Sequence, residues 1–555
     1  MTTAQHETVG LLLGQGPGLG PFATRFEQPQ RTLLHVLHAQ AEQAGDRVWL
    51  RFDGGTGITF AEVLAASNRV GAAVRDTVGE GAHVALLLRN QDEFFPAFFG
   101  AMVARSVAVP LNADSRGRLL GHVLTRSDAR LLIVRIDLLD RVADLDGLGA
   151  VELIVAVGEG EIPGEVRGVA VVGYEAWVSG RPAVSEAELP DSSEVAVIQF
   201  TSGTTGESKG VIYPHHFLYL YAAAIADRIG HTTDDVLFSS MPLYHAAALH
   251  LIANAALHAG CRADLRSRFS ASRFWEQIAE SGATHTVLLG PMAQIIYKTV
   301  QEAPEHKVKL IYCPPYPPNG DEFSERFKVK LVWQGFGMTE IYTNTYFDHE
   351  PGDAPKNCLG HPFSWMEYGV VDGRDRLLPL GEVGELVFRP RLTDAMARGY
   401  YKAPEATLQA FRNFMFHTGD LASIADDGRL LFVGRKRDRI RRRGENISAT
   451  ELEEIASGHD AVIEAAAYAV PGEFGEDEVK LDVVARGELT MPALHAWLVE
   501  RLPRYMVPRY LERCAEFPKT PSERIEKHKL AERDLRRPEV NEFEPGRAVT
   551  PRGAS

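Results

Sequence analysis

The stretch FTSGTTGESKG (200–210) gathers five hydroxyl side chains and three glycines around Lys209. Glycines let backbone N–H groups approach an anion closely, and hydroxyls add donors, so a segment of this kind suits a phosphate. Its spacing is not that of the nucleotide loop G-x-x-x-x-G-K-[ST], which feeds directly into a helix. Here Gly203 and Gly206 precede Lys209, and the apolar run GVI follows. Taken alone, the segment reads equally as a surface turn rich in Ser, Thr and Gly.

Outward from this stretch, short apolar runs such as HVALLL (83–88), SVAVPL (106–111) and ARLLIV (129–134) alternate with helical patterns such as AEVLAASNRVGAAVRD (61–76). Such alternation predicts βαβ units and a parallel sheet. The rhythm returns after Gly210, with DVLFSSMPL (235–243) and HTVLLG (285–290) as strands. From about Gly381 the strands shorten, as in GELVF (384–388) and RLLFVG (429–434). A charge-rich segment from about Lys436 carries DEVKLDVVA (477–485) and MPALHAWLVERL (491–502), the texture of a compact α+β unit. The tail RRPEVNEFEPGRAVTPRGAS (536–555) is polar and aperiodic, which predicts disorder.

A chain of 555 residues exceeds one hydrophobic core, so about two to four domains are expected. Its net charge of −15, without a dominant Lys/Arg cluster, argues against nucleic acid as a partner. The four cysteines (Cys261, Cys313, Cys358, Cys514) are far apart and form no CxxC pair, so neither a disulfide framework nor a zinc knuckle is indicated. The N-terminal residues lack a basic region before their short apolar run. FFPAFFGAMVARSVAVPL (94–111) is broken by Pro96 and Arg105 before it spans a bilayer. A cytoplasmic protein with no membrane span is expected.

Taken in order, FTSGTTGESKGVIYPH (200–215), MPLYH (241–245), GFGMTE (335–340), HTGDLASIADDGRLLFVGRKRDRIRRRGENISATELEE (417–454) and PKTPSERIEKHKL (518–530) resemble the signature segments of the adenylate-forming superfamily. That superfamily holds acyl- and aryl-CoA synthetases, peptide-synthetase adenylation domains and beetle luciferase. The resemblance spans about residues 30 to 530, and RRRGENIS is most similar to the carnitine-CoA ligase and medium-chain acyl-CoA ligase branch. It implies an α/β fold: a large N-terminal domain of stacked α/β subdomains plus a small mobile C-terminal α+β lid. The expected boundaries are an N-terminal extension (1–30), the adenylation domain (31–435), the lid (436–535) and a disordered tail (536–555). Two half-reactions are implied. A carboxylate attacks the α-phosphate of ATP, giving an acyl-adenylate and pyrophosphate, and a thiol, usually that of CoA, then displaces AMP.

The resemblance also assigns residues. Thr201, Ser202, Gly203, Thr204, Thr205, Gly206 and Lys209 would hold the β- and γ-phosphates. Thr339 would contact the α-phosphate, and Glu340 would ligate Mg²⁺, a hard cation that takes oxygen donors. Phe336 is either an aromatic stacked on adenine or a core phenylalanine. Asp420, an acceptor-only carboxylate, would bind both ribose hydroxyls with Arg435 beside it. Arg437 falls at the hinge about which the lid would rotate. Gly444 would flank the pantetheine tunnel, and the basic run 439–443 either meets CoA phosphates or is a solvated face. His245, Ala246, Pro314 and Gly335 would line the acid pocket, with His245 in a positional role; His250 is no convincing metal partner. The small residues 246–248 hint at a bulky or aromatic acid.

Two departures lie where the acid is handled. The usual P-K-T-x-[ST]-G-K is here PKTPSER, so Arg524 replaces the lysine that bridges acid and α-phosphate. Arginine keeps the charge but is bulkier, leaving Lys527 or Lys529 as alternatives. YCPPYPPN (312–319) replaces a Gly-Gly-Ala-Pro type loop, and Pro314 and Pro315 remove donors and fix φ. The leading expectation is an ATP-dependent acid–CoA ligase. One alternative activates nitrite for diazotisation of an aromatic amine, and another is a nucleotide-binding regulator with impaired catalysis.

Overall fold

In the computed structural model of the chain, residues 12–14, 18–181, 189–201, 208–317, 319–343, 345–346, 354–436, 439–442, 445–471, 477–504, 506–519 and 525–543 are described. The β-rich runs flanking the 200–210 stretch fall into two large sheets. One has eight strands in the order Gly210–Pro214, Val195–Phe200, Val107–Pro110, His83–Leu87, Ala129–Arg135, Leu153–Val157, Val169–Gly173 and Glu165–Val166. Its middle is parallel, as the alternation predicts, and the pair at each edge is antiparallel. The other has seven strands, Leu331–Val332, Leu310–Tyr312, His285–Val287, Val236–Ser239, Arg262–Leu265, Val48–Phe52 and Ile58–Thr59, parallel except for the last pair.

Parallel strands are covered by helices on both faces, so their sequences are continuously apolar. The helix Phe60–Val78 begins on a capping box, in which the Glu62 N–H donates to the Thr59 hydroxyl and the Thr59 N–H to the Glu62 carboxylate. It packs on Phe94–Val103, a wholly buried helix carrying Phe94, Phe95, Phe98 and Phe99. Each of these phenylalanines contributes about 1.5–3 kcal/mol by leaving water. The helices meet at Gly71 and Gly100, where a Cβ would overlap Val103 and Val70 respectively. Among the described residues no helix is long and apolar enough to cross a membrane.

A third sheet of six antiparallel strands runs Thr345–Tyr346, Cys358–Pro362, Leu430–Arg435, Phe416–Ile424, Gly384–Pro390 and Met366–Val371. The N-terminal residues are tied to this body. Leu13 exchanges backbone hydrogen bonds with Tyr368, and the Asp227 carboxylate accepts from the Phe22 and Ala23 N–H groups.

Beyond Ile440 a separate core forms around Leu452, Val479, Leu481, Leu494 and Leu511. Its sheet orders Val462–Pro471, Asp477–Ala485, Tyr510–Cys514 and Val540–Glu542. The last strand corrects the expectation that 536–555 is disordered. Val540–Glu542 pairs antiparallel with Tyr510–Cys514, and the Phe543 ring stacks on His495 at 4.1 Å. Charge explains the attachment. Buried Lys480 faces Asp482 at 3.1 Å and Glu512 at 2.6 Å, and Arg537 from the tail meets both Glu512 oxygens at 2.5 and 2.6 Å. Two cations thus balance two carboxylates that one lysine would leave unneutralised, a condition buried ions require. A composition count sees polar residues there and misses their partner; residues 544–555 lie outside the described residues.

Candidate active site

In open parallel sheets, ligands bind beyond the carboxyl ends of the strands. The sequence-predicted acid-pocket residues all follow such ends in the seven-stranded sheet. MPLYH (241–245) follows Val236–Ser239, Pro314 follows Leu310–Tyr312, and Gly335 follows Leu331–Val332. From the eight-stranded sheet, the 200–210 stretch follows Val195–Phe200 and returns as Gly210–Pro214.

The base of that hairpin loop is closed by its own backbone. The Thr201 N–H donates to the Lys209 carbonyl at 3.0 Å, and the Lys209 N–H to the Thr201 hydroxyl at 3.3 Å. The Ser208 hydroxyl also donates to the Thr201 carbonyl. Ser202, Gly203, Thr204, Thr205 and Gly206, predicted to face the phosphates, lie outside the described residues. Lys209 places its ammonium 5.1 Å from the ring centre of Tyr400, a cation–π contact.

Tyr400 carries the connection to the GMTE segment. Strand Gly337–Met338 pairs with Tyr342–Thr343, so Thr339 and Glu340 form the tip of a hairpin. Glu340 is buried, at 6 % exposure, and its Oε1 accepts a 2.6 Å hydrogen bond from the Tyr400 hydroxyl. Burial, and then the adjacent carboxylate, raise the Tyr400 phenol far above its ordinary range, so it remains a proton donor. The segment around it is laid along Gly210–Pro214. The Ile212 N–H donates to the Gly399 carbonyl, and the Arg398 and Tyr401 N–H groups donate to the Ile212 and Gly210 carbonyls. Buried Tyr213 donates its hydroxyl to the Thr339 carbonyl at 2.7 Å. Sequence reasoning missed Tyr400 and Tyr213: Tyr400 has as its signal only a tyrosine pair, YYK, far from either motif, whereas Tyr213 sits inside the quoted segment 200–215 without having been singled out.

The antiparallel sheet presents the third group. Asp420 and Arg435 are register partners on neighbouring strands, and Arg435 Nε lies 3.5 Å from Asp420 Oδ1. Glu385 holds the preceding turn from the next strand. It accepts from the Gly419 N–H at 3.2 Å, from Lys436 Nζ at 2.9 Å and from Arg412 at 2.9 Å, with His417 Nδ1 at 3.3 Å. Burial raises the Glu385 pKa, but hydrogen bonds from His417 and Lys436 outweigh it and bring it down to about 2. With Asp375 and His417 it forms a donor cluster, yet Arg412 and Lys436 already neutralise its carboxylates. Phe336 is 7 % exposed, stacked on Phe388 at 5.8 Å, and its N–H donates to the Thr345 hydroxyl.

The segment 241–244, expected beside the acid, is held by two amides the sequence did not flag. Buried Asn90 donates to the Met241 carbonyl at 2.9 Å and accepts from the Leu243 N–H at 2.8 Å, while Gln199 donates to the Tyr244 carbonyl. Half-buried His245 tilts against Tyr244 and leads, through Ala246, into a π-helix, Ala247–Asn254, a wide turn frequent at functional sites. His250 is fully buried, and burial lowers its pKa to about 3, leaving it neutral. Its ring meets Tyr342 at 4.8 Å, and Tyr342 in turn packs on Phe217 at 4.7 Å and Tyr221 at 4.6 Å. At Gly335 a Cβ would collide with the Tyr312 hydroxyl, so only glycine fits there. Pro314 and Pro315 are joined by a cis peptide bond.

Of the lid residues, Arg437, Gly444 and Arg524 lie outside the described residues. The bridge between Lys519 and Ile525 closes the base of the segment that ends in Arg524. Lys527 pairs with Glu453 at 2.6 Å and Lys529 with Glu526 at 2.5 Å, so both proposed substitutes are engaged. Lys298 reaches across to the Val462 carbonyl at 3.3 Å, joining the large body to the C-terminal unit.

A crotonobetaine/carnitine–CoA ligase of Salmonella enteritidis is 28% identical over 505 residues, covering 88% of this chain and 96% of that protein. One from Citrobacter koseri is 29% identical over 506 residues, with 88% and 97% covered. In fold, the chain matches the crystal structure of the anthranilate CoA ligase AuaEII in complex with anthranoyl-AMP, at a TM-score of 0.81 and 22% identity, covering 92% of this chain and 98% of that one. ATP-bound MatB from Rhodopseudomonas palustris follows at a TM-score of 0.78 and 21% identity, with 90% and 98% covered. The AMP-binding enzyme C-terminal domain model matches residues 451–524. Since the AMP-binding enzyme model itself takes in residues 37–401, well over half of the sequence and the hairpins that carry Lys209 and Glu340, the chain belongs to the AMP-binding enzyme family.

Proposed function

We propose that the chain is an ATP-dependent acid–CoA ligase, which activates a carboxylic acid as its adenylate with loss of pyrophosphate and then forms the CoA thioester. The observation that supports this reading best is the linkage of Lys209, Tyr400 and Glu340, in which a cation–π contact and a hydrogen bond join the phosphate hairpin to the acidic hairpin. Expelling pyrophosphate builds charge on the leaving oxygens, so cations and donors must already be in place. Lys209 and the hydroxyl-rich segment 201–206 serve the β- and γ-phosphates, and Thr339 the α-phosphate. Asp420, with Arg435 beside it, takes the ribose hydroxyls.

Glu340 suits Mg²⁺, because a buried carboxylate held by the Tyr400 phenol is a hard-oxygen donor aimed by its neighbour. When bound, the ion neutralises phosphate charge. A carboxylate oxygen of the substrate attacks the α-phosphorus and the bond to the β-phosphate oxygen breaks. The CoA thiolate then attacks the acyl carbon, and AMP departs with the electron pair. Residues from 436 onward act as the lid, Arg437 as its hinge, Gly444 at the pantetheine tunnel and Arg524 as the cation between acid and phosphate.

A second reading, activation of nitrite for transfer to an aromatic amine, is favoured by the aromatic packing around Tyr342 and by the Tyr312 hydroxyl over Gly335. Both suit a short acid. Nucleotide products decide between them. AMP and pyrophosphate formed with a panel of carboxylic acids plus CoA support the ligase, whereas AMP formed only with nitrite plus an arylamine supports the second reading. ADP with orthophosphate in either mixture sinks both.

A further inference from the structure

At the amino ends of the seven-stranded sheet, opposite the end that carries the motif loops, a second cluster of chemistry-bearing side chains is buried. His231 follows the left-handed Gly230 that ends helix His215–Ile229. Asp235 precedes strand Val236–Ser239, His285 opens His285–Val287, and Lys309 precedes Leu310–Tyr312. His231 Nδ1 lies 4.0 Å from Asp235 Oδ2, and His285 Nδ1 lies 3.6 Å from Asp235 Oδ1. One ligand atom from each of the three residues falls within 4.8 Å of the others, and all three residues are buried.

We propose that His231, Asp235 and His285 form a structural site for one divalent transition-metal ion of the zinc class, and that Lys309 competes with the ion for the carboxylate.

Three observations carry this. The His231 side chain is 1 % exposed, and its Nδ1, directed at Asp235, has no hydrogen-bond partner. A buried imidazole nitrogen left unpaired is unfavourable, and a metal bond would remove that cost. Second, a cavity of about 20 Å³ borders both histidines; its wall is mostly apolar, so it gives the ion space without offering a competing ligand. Third, the ligand separations need to contract only modestly, since bonds of about 2.0–2.1 Å place tetrahedral ligands about 3.4 Å apart. Two imidazoles with one carboxylate favour zinc-like ions over Mg²⁺, which prefers oxygen.

The present partners can yield. Lys309 Nζ is 2.8 Å from Asp235 Oδ1, but its side chain is 62 % exposed and can swing into water. The Thr284 hydroxyl, 2.9 Å from His285 Nδ1, has the Val236 carbonyl at 3.2 Å as an alternative acceptor. The Thr232 N–H and hydroxyl fix Asp235 Oδ2 at 2.9 and 3.1 Å, the outer support that orients ligating carboxylates. An ion here would pin strand Val236–Ser239 to its neighbour His285–Val287 at the strand ends opposite those that lead into the motif loops.

The test uses the full chain, stripped with chelator and dialysed against Zn²⁺ or Co²⁺. One ion per chain is expected, with the visible d–d bands of tetrahedral Co²⁺, no thiolate charge-transfer band, and a rise in Tm. His231→Ala and His285→Ala should abolish the stoichiometric binding and the Tm rise. Lys309→Met, which alters an exposed side chain, should bind about tenfold more tightly by removing the competing charge. Should the histidine variants fail to fold, Lys309→Met decides alone. Failure of both the wild-type chain and Lys309→Met to take up one ion, undiminished binding by His231→Ala, or a thiolate band would each overturn the proposal. None of these readouts passes through ATP turnover.

Discussion

Two walls of the proposed site are held by different forces. The nucleotide-side wall is made largely of hairpins and strand pairs whose partners are close in sequence or fixed by register, Thr201 with Lys209, Gly337 with Thr343, Asp420 with Arg435, and is tied together by Tyr400 and Tyr213 from farther along the chain. Charge and charge-assisted hydrogen bonds dominate it. The acid-side wall is made of rings and amides brought from distant elements, such as Asn90 on the 241–243 loop and Phe217 on Tyr342. Packing dominates there. The difference teaches that the first wall tolerates little chemical change but much change of neighbours, while the second can be reshaped by volume alone.

The largest break in this comparison is Glu340→Ala. Acid-dependent ATP–pyrophosphate exchange should fall by about a thousandfold, the upper range for losing a preorganised electrostatic group. A loss of less than about tenfold would mean that the proposed metal ligand lies elsewhere.

Tyr400→Phe sharpens the same wall. The ring stays under Lys209 while Glu340 loses its 2.6 Å donor, so kcat/KM for ATP should drop about tenfold, with half-maximal rate at a changed Mg²⁺ concentration. An unaltered Mg²⁺ titration would reduce Tyr400 to a packing role.

On the acid side, Tyr342→Ala should open space between Phe217 and His250. Preference should shift about tenfold toward larger acids with KM for ATP unchanged, since pocket volume is worth only a few kcal/mol. Movement of the ATP constant instead would show that the walls are not separable.

The smallest expected effect concerns pH. With its pKa lowered to about 2, Glu385 contributes stability that is fully present above the ordinary carboxylate pKa of 4.5 and is lost as pH falls toward 2. Thermal unfolding of Glu385→Gln should therefore show a shallower acid limb between those values, and identical limbs would refute the assignment.

Much of this was legible in the sequence for the same physical reason that separates the walls. ARLLIV reads as a strand and lies in one, Ala129–Arg135, because an apolar, β-branched run is a local property. The Asp420 and Arg435 pairing follows from a resemblance whose spacing is fixed by one hairpin. Tyr400 and Asn90 were not legible, since each acts on a residue at least 60 positions away and carries no motif of its own. The tail failed for a related reason: its charges look solvated until Lys480 and Glu512 are placed beside them.

That tail has a practical corollary. Strand Val540–Glu542 covers the outer rim of Tyr510–Cys514, whose N–H and C=O groups would otherwise be open to any passing chain. Shortening the polypeptide at about residue 535, as a disorder-guided trim would do, should therefore yield a sticky, self-associating product, whereas purification handles appended after Phe543 leave that rim sealed.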